Sequence, residues 1–302
     1  AVRRVEIPKP DGRMRPLGIP TMEDRIIQQC IKQVLEPICE AKFYKHSYGF
    51  RPNRSAHHAI ARAMFLVNIS KYRYVVDVDI KGFFDNVDHG KLLKQLWTLG
   101  IRDKQLLCVL SKMLKAPIQG EGVPTKGVPQ GGILSPLLSN VVLNELDWWI
   151  ASQWEEFPQL QRYRSRPHYK GNGTLKQVYL VRYADDFKMF CKCRGDAEKI
   201  FAATTMWLKE RLGLDISPEK SKIVNLKKGY SDFLGFKLKL RPKSGKWVLK
   251  SHMADKAQKK CRENIRSAIG RIGREPNQWS VMQFNAMVLG LHEYYKIATN
   301  VY

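Results

Sequence analysis

Two aspartates stand side by side at Asp185 and Asp186, inside the stretch RYADDFKMF at 182–190. Apolar and aromatic residues flank them on both sides, as in a β-hairpin. Adjacent like charges have an ordinary explanation, a surface turn in which both face water. They also have a chemical one, because a bound cation makes such crowding favourable. A third carboxylate, Asp79, ends the strand-like run YRYVVDVD at 72–79, where the following IKGFF must leave a sheet. Brought together, the three would offer hard oxygen ligands of the kind that suit Mg²⁺. Two such ions about 4 Å apart can stabilise the attacking and leaving oxygens of an in-line displacement. Spacing alone leaves the turn and the metal site both open.

Several elements must position these carboxylates. Residues 2–20 read as two strands joined at Pro10-Asp11-Gly12, a turn signal. Thr21, with Asp24 three residues on, caps a helix whose stripe holds Ile26, Ile27, Cys30, Ile31, Val34, Leu35 and Ile38. The basic, aromatic loop KHSYGFRPNRSAHHAI leads into a helix capped by Ser55. After the strand at 72–79, helices are expected from Asp88 to Leu96 and over 106–114. GVPTKGVPQGGILSP at 122–136 is a Gly/Pro-rich loop, and Ser135 as cap with Pro136 at the first helical position opens a long apolar helix through Trp149. Residues 155–177 read as a polar, basic insertion; a helix follows over roughly 196–212, then strands near 222–226 and 233–240. From Met253 a helix carries Ala257, Cys261, Ile265 and Ile269 on one side and a crowd of Lys and Arg on the rest. Strands and helices interleave irregularly, so the class is mixed α/β (α+β).

The 302 residues carry 52 Lys plus Arg against 28 Asp plus Glu, a formal net charge of +24. Such an excess costs self-repulsion and points to a polyanionic partner, nucleic acid first and an anionic membrane second. No apolar run approaches the ~20 residues needed to span a bilayer, so no membrane partner is expected. The six cysteines form no CxxC pair and no zinc-type cluster, and Cys191 and Cys193, on one strand face, are expected to be core thiols. A reducing, cytoplasmic compartment fits. The N-terminus has no apolar signal region and opens in strand-like sequence, as a segment of a longer protein would.

The ordered set of Asp79 with Phe84 five residues on, PQGGILSP, YADD, SPEKSK and FLGF strongly resembles the reverse transcriptases over nearly the whole chain. The fuller strings IPKPDGRMRPLGIP, SYGFRPNRSAHHAI, DVDIKGFFDNVDH and GVPQGGILSPLLSN resemble the maturase/reverse transcriptases encoded by group II introns of bacteria and organelles. FNAMVLGLHEYYKIAT resembles the start of their maturase region. The resemblance implies a right-hand polymerase, with fingers at 1–73 and 88–134, a ferredoxin-like palm at 74–87 and 135–240, and a helical thumb leading into the maturase region at 241–302. It assigns Asp79, Asp185 and Asp186 to a two-Mg²⁺ site, Mn²⁺ being a possible substitute, with Asp79 and Asp185 as principal ligands and Asp77 structural. Phe84 would crowd the sugar 2′ carbon and exclude ribonucleotides. Lys9 and Arg15, with Arg13 near them, would close on the triphosphate, and Gln130 would lie against the incoming nucleotide. Lys220 would assist pyrophosphate departure as a general acid. Phe233, Leu234, Gly235 and Phe236 would grip the primer end, although by composition they read equally as a strand packing into the core, and both readings can hold together. Tyr48, Phe50, Arg51 and Arg54 would hold template, and Lys256 and Lys260 would meet phosphates.

The implied partners are an RNA template, a DNA or RNA primer, dNTPs and intron RNA, with a homodimer possible; the implied setting is the bacterial cytoplasm, at the nucleoid, rather than an organelle. Two other readings stay open: a splicing maturase that binds RNA with little polymerase activity, and a retron, diversity-generating or defence reverse transcriptase. The family's N-terminal extension and its zinc-containing DNA endonuclease domain have no counterpart in these residues, so DNA-target cleavage is not expected of them.

Overall fold

The computed structural model describes residues 2–8, 14–156 and 177–299. The expected turn at 10–12, Lys9, Arg13 and nearly all of the insertion at 155–177 lie outside the described residues. At the N-terminal end, β1 (Arg3–Pro8) and β2 (Met14–Ile19) pair antiparallel. Helix α1 (Met22–Glu40) begins at the expected cap: Thr21 Oγ1 accepts from the Asp24 N–H and donates to the Asp24 carboxylate. Helix α2 (Ala56–Asn68) is capped by Ser55 as expected.

The centre is a four-stranded antiparallel sheet in the order β4-β5-β3-β6, made of β3 (Tyr74–Val78), β4 (Val178–Tyr183), β5 (Asp186–Cys191) and β6 (Lys222–Asn225). With α5 (Ser135–Gln153) joining β3 to β4 and α6 (Arg194–Trp207) joining β5 to β6, the path is the split βαββαβ of a ferredoxin-like sheet. Helices α3 (His89–Thr98) and α4 (Lys104–Leu114) pack beside it. Strand residues alternate between the faces. Val76, Val78, Phe187 and Met189 join a core with α1, α3 and α5, while Val75, Val181 and Phe190 join a second core with α2.

That second face is covered by a three-stranded sheet of β7 (Ser231–Phe233), β8 (Phe236–Lys243) and β9 (Lys246–Met253). The expected palm boundary at 240 falls inside β8, whose hydrogen-bonded sheet holds both sides of it together. Helices α7 (Asp255–Arg274) and α8 (Gln278–Tyr295) form an antiparallel arm that buries little beyond Ser280.

Three local expectations need correction. Ser135 is the first residue of α5 rather than its cap, because its hydroxyl donates to the Pro129 carbonyl. Cys193 is exposed rather than a core thiol, and its sulfur caps α6 by accepting from the Asp196 N–H. The helix expected through 212 turns to π geometry over Leu208–Leu212 before Gly213 ends it. Among the described residues no helix is long and apolar enough to cross a membrane.

Candidate active site

Asp79 follows the last residue of β3, and the loop 215–221 wraps it. Its N–H donates to Ser221 Oγ at 3.1 Å, and its carbonyl accepts from the Ser217 N–H at 2.7 Å. Across the sheet, Tyr183 pairs with Asp186, and Ala184 and Asp185 form the turn between β4 and β5. Asp79, Asp185 and Asp186 line one open cleft of about 470 Å³ between the two sheets, with Lys220, Lys188 and Lys256 also on its walls.

The carboxylates share the cleft without closing into a cage. Among the described residues no three His, Cys, Asp or Glu side chains stand close enough together to hold one ion. Lysines hold the positive charge instead: Lys220 Nζ lies 3.4 Å from Asp79 Oδ2, and Lys188 Nζ lies 3.7 Å from Asp186 Oδ1. Positive charge is still short at Asp186. Desolvation pushes its carboxyl up to about 6, with Asp77, Asp185 and Asp79 adding to the rise against the pull of Lys188. An added cation would relieve that crowding, and hard oxygen donors on an open wall fit a divalent ion that keeps part of its own coordination for water or phosphate.

Asp77 sits deeper. It is opposite Lys188 in register, takes an ion pair from that ammonium at 3.1 Å, and accepts from Ser231 Oγ at 2.8 Å. Burial would lower the Lys188 pKa, but Asp77 and Asp186 outweigh it and hold the group charged. Lys188 also lies over the Phe233 ring, at 5.3 Å from its centroid. Lys188 was not singled out from the sequence, although its place two residues after Asp186 on β5 puts both on one face.

The turn itself is held from behind. Ala184 adopts a left-handed φ of 57°, and its carbonyl accepts from Arg182 Nη1 at 2.8 Å. Arg182 is fully buried and forks onto Asp147 at 2.6 and 2.7 Å, while Nη1 also reaches Asn140 Oδ1. Burial pushes the Asp147 carboxyl above the usual range, and the guanidinium pulls against it. Asn140 Nδ2 donates to the Gly49 carbonyl, and a Cβ on Gly49 would stand 2.3 Å from the Ala184 nitrogen. Asn140, Asn144 and Asp147 form a buried polar stripe at helical spacing on the mostly apolar α5, which was the available sequence signal.

The remaining expected residues divide. Arg51 is buried and its guanidinium is taken up by Glu40 and by the Tyr44 and Ser47 carbonyls, so it has no fork left for template phosphates. Tyr48 is buried as well, bonded to His46. Phe50, by contrast, is exposed beside Tyr183, and Arg54 lies over the Tyr48 ring. Phe233 and Phe236 are 1% and 0% exposed, so their rings cannot touch a primer. Only the turn between them is available. Leu234 and Gly235 both have positive φ, and the turn is clasped by the Tyr294 hydroxyl, which donates to the Leu234 carbonyl. Phe84 is half-buried against Phe83, and its carbonyl accepts from the Val128 N–H. Gln130 lines a separate cavity of about 260 Å³ with Gly18 and Asp85, outside the aspartate cleft. Arg15 lies in β2, and Lys260 is exposed on α7.

A ferredoxin-like sheet with acidic residues at its rim, a flanking second sheet and a helical arm make up a right-hand polymerase fold. The same architecture occurs in telomerase from Candida tropicalis solved with the TWJ fragment of telomeric RNA, which superposes with a TM-score of 0.57 over 98% of this chain and 53% of that one, at 15% identity. The chain belongs to the reverse transcriptase (RNA-dependent DNA polymerase) family, whose model matches residues 7–238. It is 36% identical to protein YkfC of Escherichia coli, over 78% of this chain and 66% of that protein. It is 32% identical to the group II intron-encoded protein LtrA of Lactococcus lactis, over 80% of this chain and 47% of that protein. With the putative COX1/OXI3 intron 2 protein of Saccharomyces cerevisiae it shares 30% identity over 99% of its own length and 42% of the relative's. The chain thus spans between 42% and 66% of the length of these relatives.

Proposed function

We propose that this chain is the polymerising part of a group II intron-encoded reverse transcriptase, which adds deoxynucleotides to a primer 3′-hydroxyl on an RNA template and binds intron RNA as a maturase. One observation carries the reading: Asp79 and the turn at Asp185-Asp186 open into one cleft at the rim of the sheet, in a family member with a net charge of +24. Asp79 and Asp185 would be the principal ligands of two Mg²⁺ ions, with Mn²⁺ as a substitute, and Asp186 would support them. When bound, the ions would neutralise the triphosphate and lower the proton affinity of the primer hydroxyl.

In the reaction the primer 3′-hydroxyl gives up its proton to solvent as its oxygen bonds to the α-phosphorus, the α–β anhydride opens and pyrophosphate leaves. Lys220, now 3.4 Å from Asp79, would turn to the leaving group and give it a proton. Phe84 would exclude the ribose 2′-hydroxyl, Gln130 would support the incoming nucleotide, and Lys9 and Arg15 would close on its phosphates. The backbone of Leu234-Gly235 would seat the primer end; Phe50 and Arg54 would hold template, and Lys256 and Lys260 phosphates. Fingers at 1–73 and 88–134 and a palm at 74–87 and from 135 fit this scheme, with the thumb boundary moved to 253 so that the second sheet stays whole.

The test is primer extension with Mg²⁺ on poly(rA)/oligo(dT), beside filter binding to intron RNA. Asp185→Asn is expected to abolish incorporation and leave RNA binding intact. Near-normal extension by that variant would overturn the site assignment.

A further inference from the structure

The outward face of the β8–β9 ribbon carries a row of basic side chains with no part in the polymerase reaction as proposed. In register, Lys237 faces His252, Lys239 faces Lys250, Arg241 faces Val248 and Lys243 faces Lys246. The opposite face, with Leu238, Leu240 and Leu249, is buried in the second core. Like charges directly opposite each other in an antiparallel pair are destabilising. A solvated sheet face relieves this by interspersing acids, and here the acids Asp232 and Asp255 stand only at the Lys237 end of the row. Lys237 pairs with Asp255, but among the described residues no carboxylate pairs with Lys239, Arg241, Lys243, Lys246 or Lys250. The crowding is felt by His252, whose pKa is pushed down by burial and then by Arg241, Lys250 and Lys237.

The row is continuous with the cleft. Asp232 pairs with Lys237 on the same face of the sheet, and Asp232 lines the cleft beside Asp186 and Lys256. From Lys237 to Lys243 the strand runs on the order of 20 Å, about the length of six base steps at 3.4 Å per phosphate along one strand. A polyanion leaving the cleft along this ribbon would meet a lysine or arginine at every second residue. We propose that the outward face of β8–β9 is a phosphate track for the primer–template duplex as it leaves the active site. The track rests on the polymerase reading, since the duplex is that reaction's product.

The test uses the full chain carrying Lys239→Gln, Arg241→Gln and Lys250→Gln, three substitutions on partly or fully exposed side chains away from the aspartates. Binding to an RNA–DNA hybrid with a recessed primer end is measured across a salt series, with the unpaired RNA strand alone as a second ligand. Affinity for the hybrid is expected to fall, and the slope of log affinity against log salt to flatten by about 2 to 3, near 0.9 for each phosphate no longer neutralised. Thermal stability is expected to hold or rise, because the substitutions remove a cross-strand repulsion. Wild-type extension with unchanged hybrid affinity in the variant would overturn the track alone. A weaker affinity accompanied by a lower Tm would overturn it too, by making the row a structural requirement. An equal loss on the unpaired strand would assign the row to single-stranded RNA instead. A wild-type chain that neither holds nor extends the hybrid would remove the polymerase reading and the track with it.

Discussion

Replacing Arg182 by Met tests whether the buried fork behind the turn serves the site or only the core. Arg182 and Asp147 are both fully buried, so the substitution leaves a carboxylate in the interior without its partner. Breaking a buried pair from one side costs about 3–5 kcal/mol. The Ala184 carbonyl and Asn140 Oδ1 also lose their donor, and an unsatisfied buried acceptor costs roughly 1–3 kcal/mol. The sum is a large share of the ~5–15 kcal/mol that holds a protein folded. Asp147, already pushed upward by burial, would take a proton to limit the loss. Adding Asp147→Leu removes the stranded charge, and apolar replacements of buried pairs are often close to neutral. The double variant should therefore regain most of the midpoint in urea denaturation. It should not regain turnover, because nothing then holds the Ala184 carbonyl, and a displacement of ~1 Å at reacting groups costs on the order of 100-fold. Steady-state primer extension separates the outcomes: kcat stays low while KM for dNTP and hybrid affinity stay near the wild-type values. If the double variant recovers kcat together with stability, Arg182 supports the core alone and the positioning argument fails.

Two further perturbations follow from the same geometry. Gly49→Ala places a methyl against the backbone of Tyr183 and Ala184, which cannot give way as a flexible side chain would; a cost of about 1–3 kcal/mol is expected from overpacking, with a larger loss in extension rate than in hybrid binding. Glu155 accepts from Tyr44, His46 and Arg62, and although burial alone would raise its pKa, those partners hold it at about 2 against an ordinary 4.5. Its folded pKa is depressed, so its stabilisation is complete above 4.5 and is lost as pH falls toward 2. The difference corresponds to roughly 3 kcal/mol, and Glu155→Gln should lower the Tm at neutral pH while flattening its dependence on pH below 4.5.

Much of the frame was legible because strand alternation and helix caps are local. The alternation in YRYVVDVD places Asp77 and Asp79 on one face, and Thr21 and Ser55 announce their helices. The misread positions are those whose partners lie far along the chain. Arg51 reads as a phosphate ligand until Glu40 and two carbonyls claim its guanidinium. Phe233 and Phe236 read equally as core strand and as primer contacts, and only the packed chain shows that their rings lie in the core with the turn between them partly exposed. Arg182 offers no local sign of its role, because Asp147 and Asn140 reach it only once α5 has packed on β4.

The bond from Ser231 to Asp77 joins residues 154 positions apart, and that from Ser221 to Asp79 spans 142. Such closures come late, since loop entropy must be overcome before distant pairings stabilise the chain. At about 5–20 residues per second of synthesis, some 8 to 30 seconds separate the emergence of β3 from the arrival of the segment that seats Asp77. During that interval β3 and Asp79 just beyond it lack Ser231 and Ser221, and of the elements that pack on the second face only α2 precedes them in the chain. The order of synthesis therefore leaves the carboxylate rim unfinished until the segment at 221–231 has emerged.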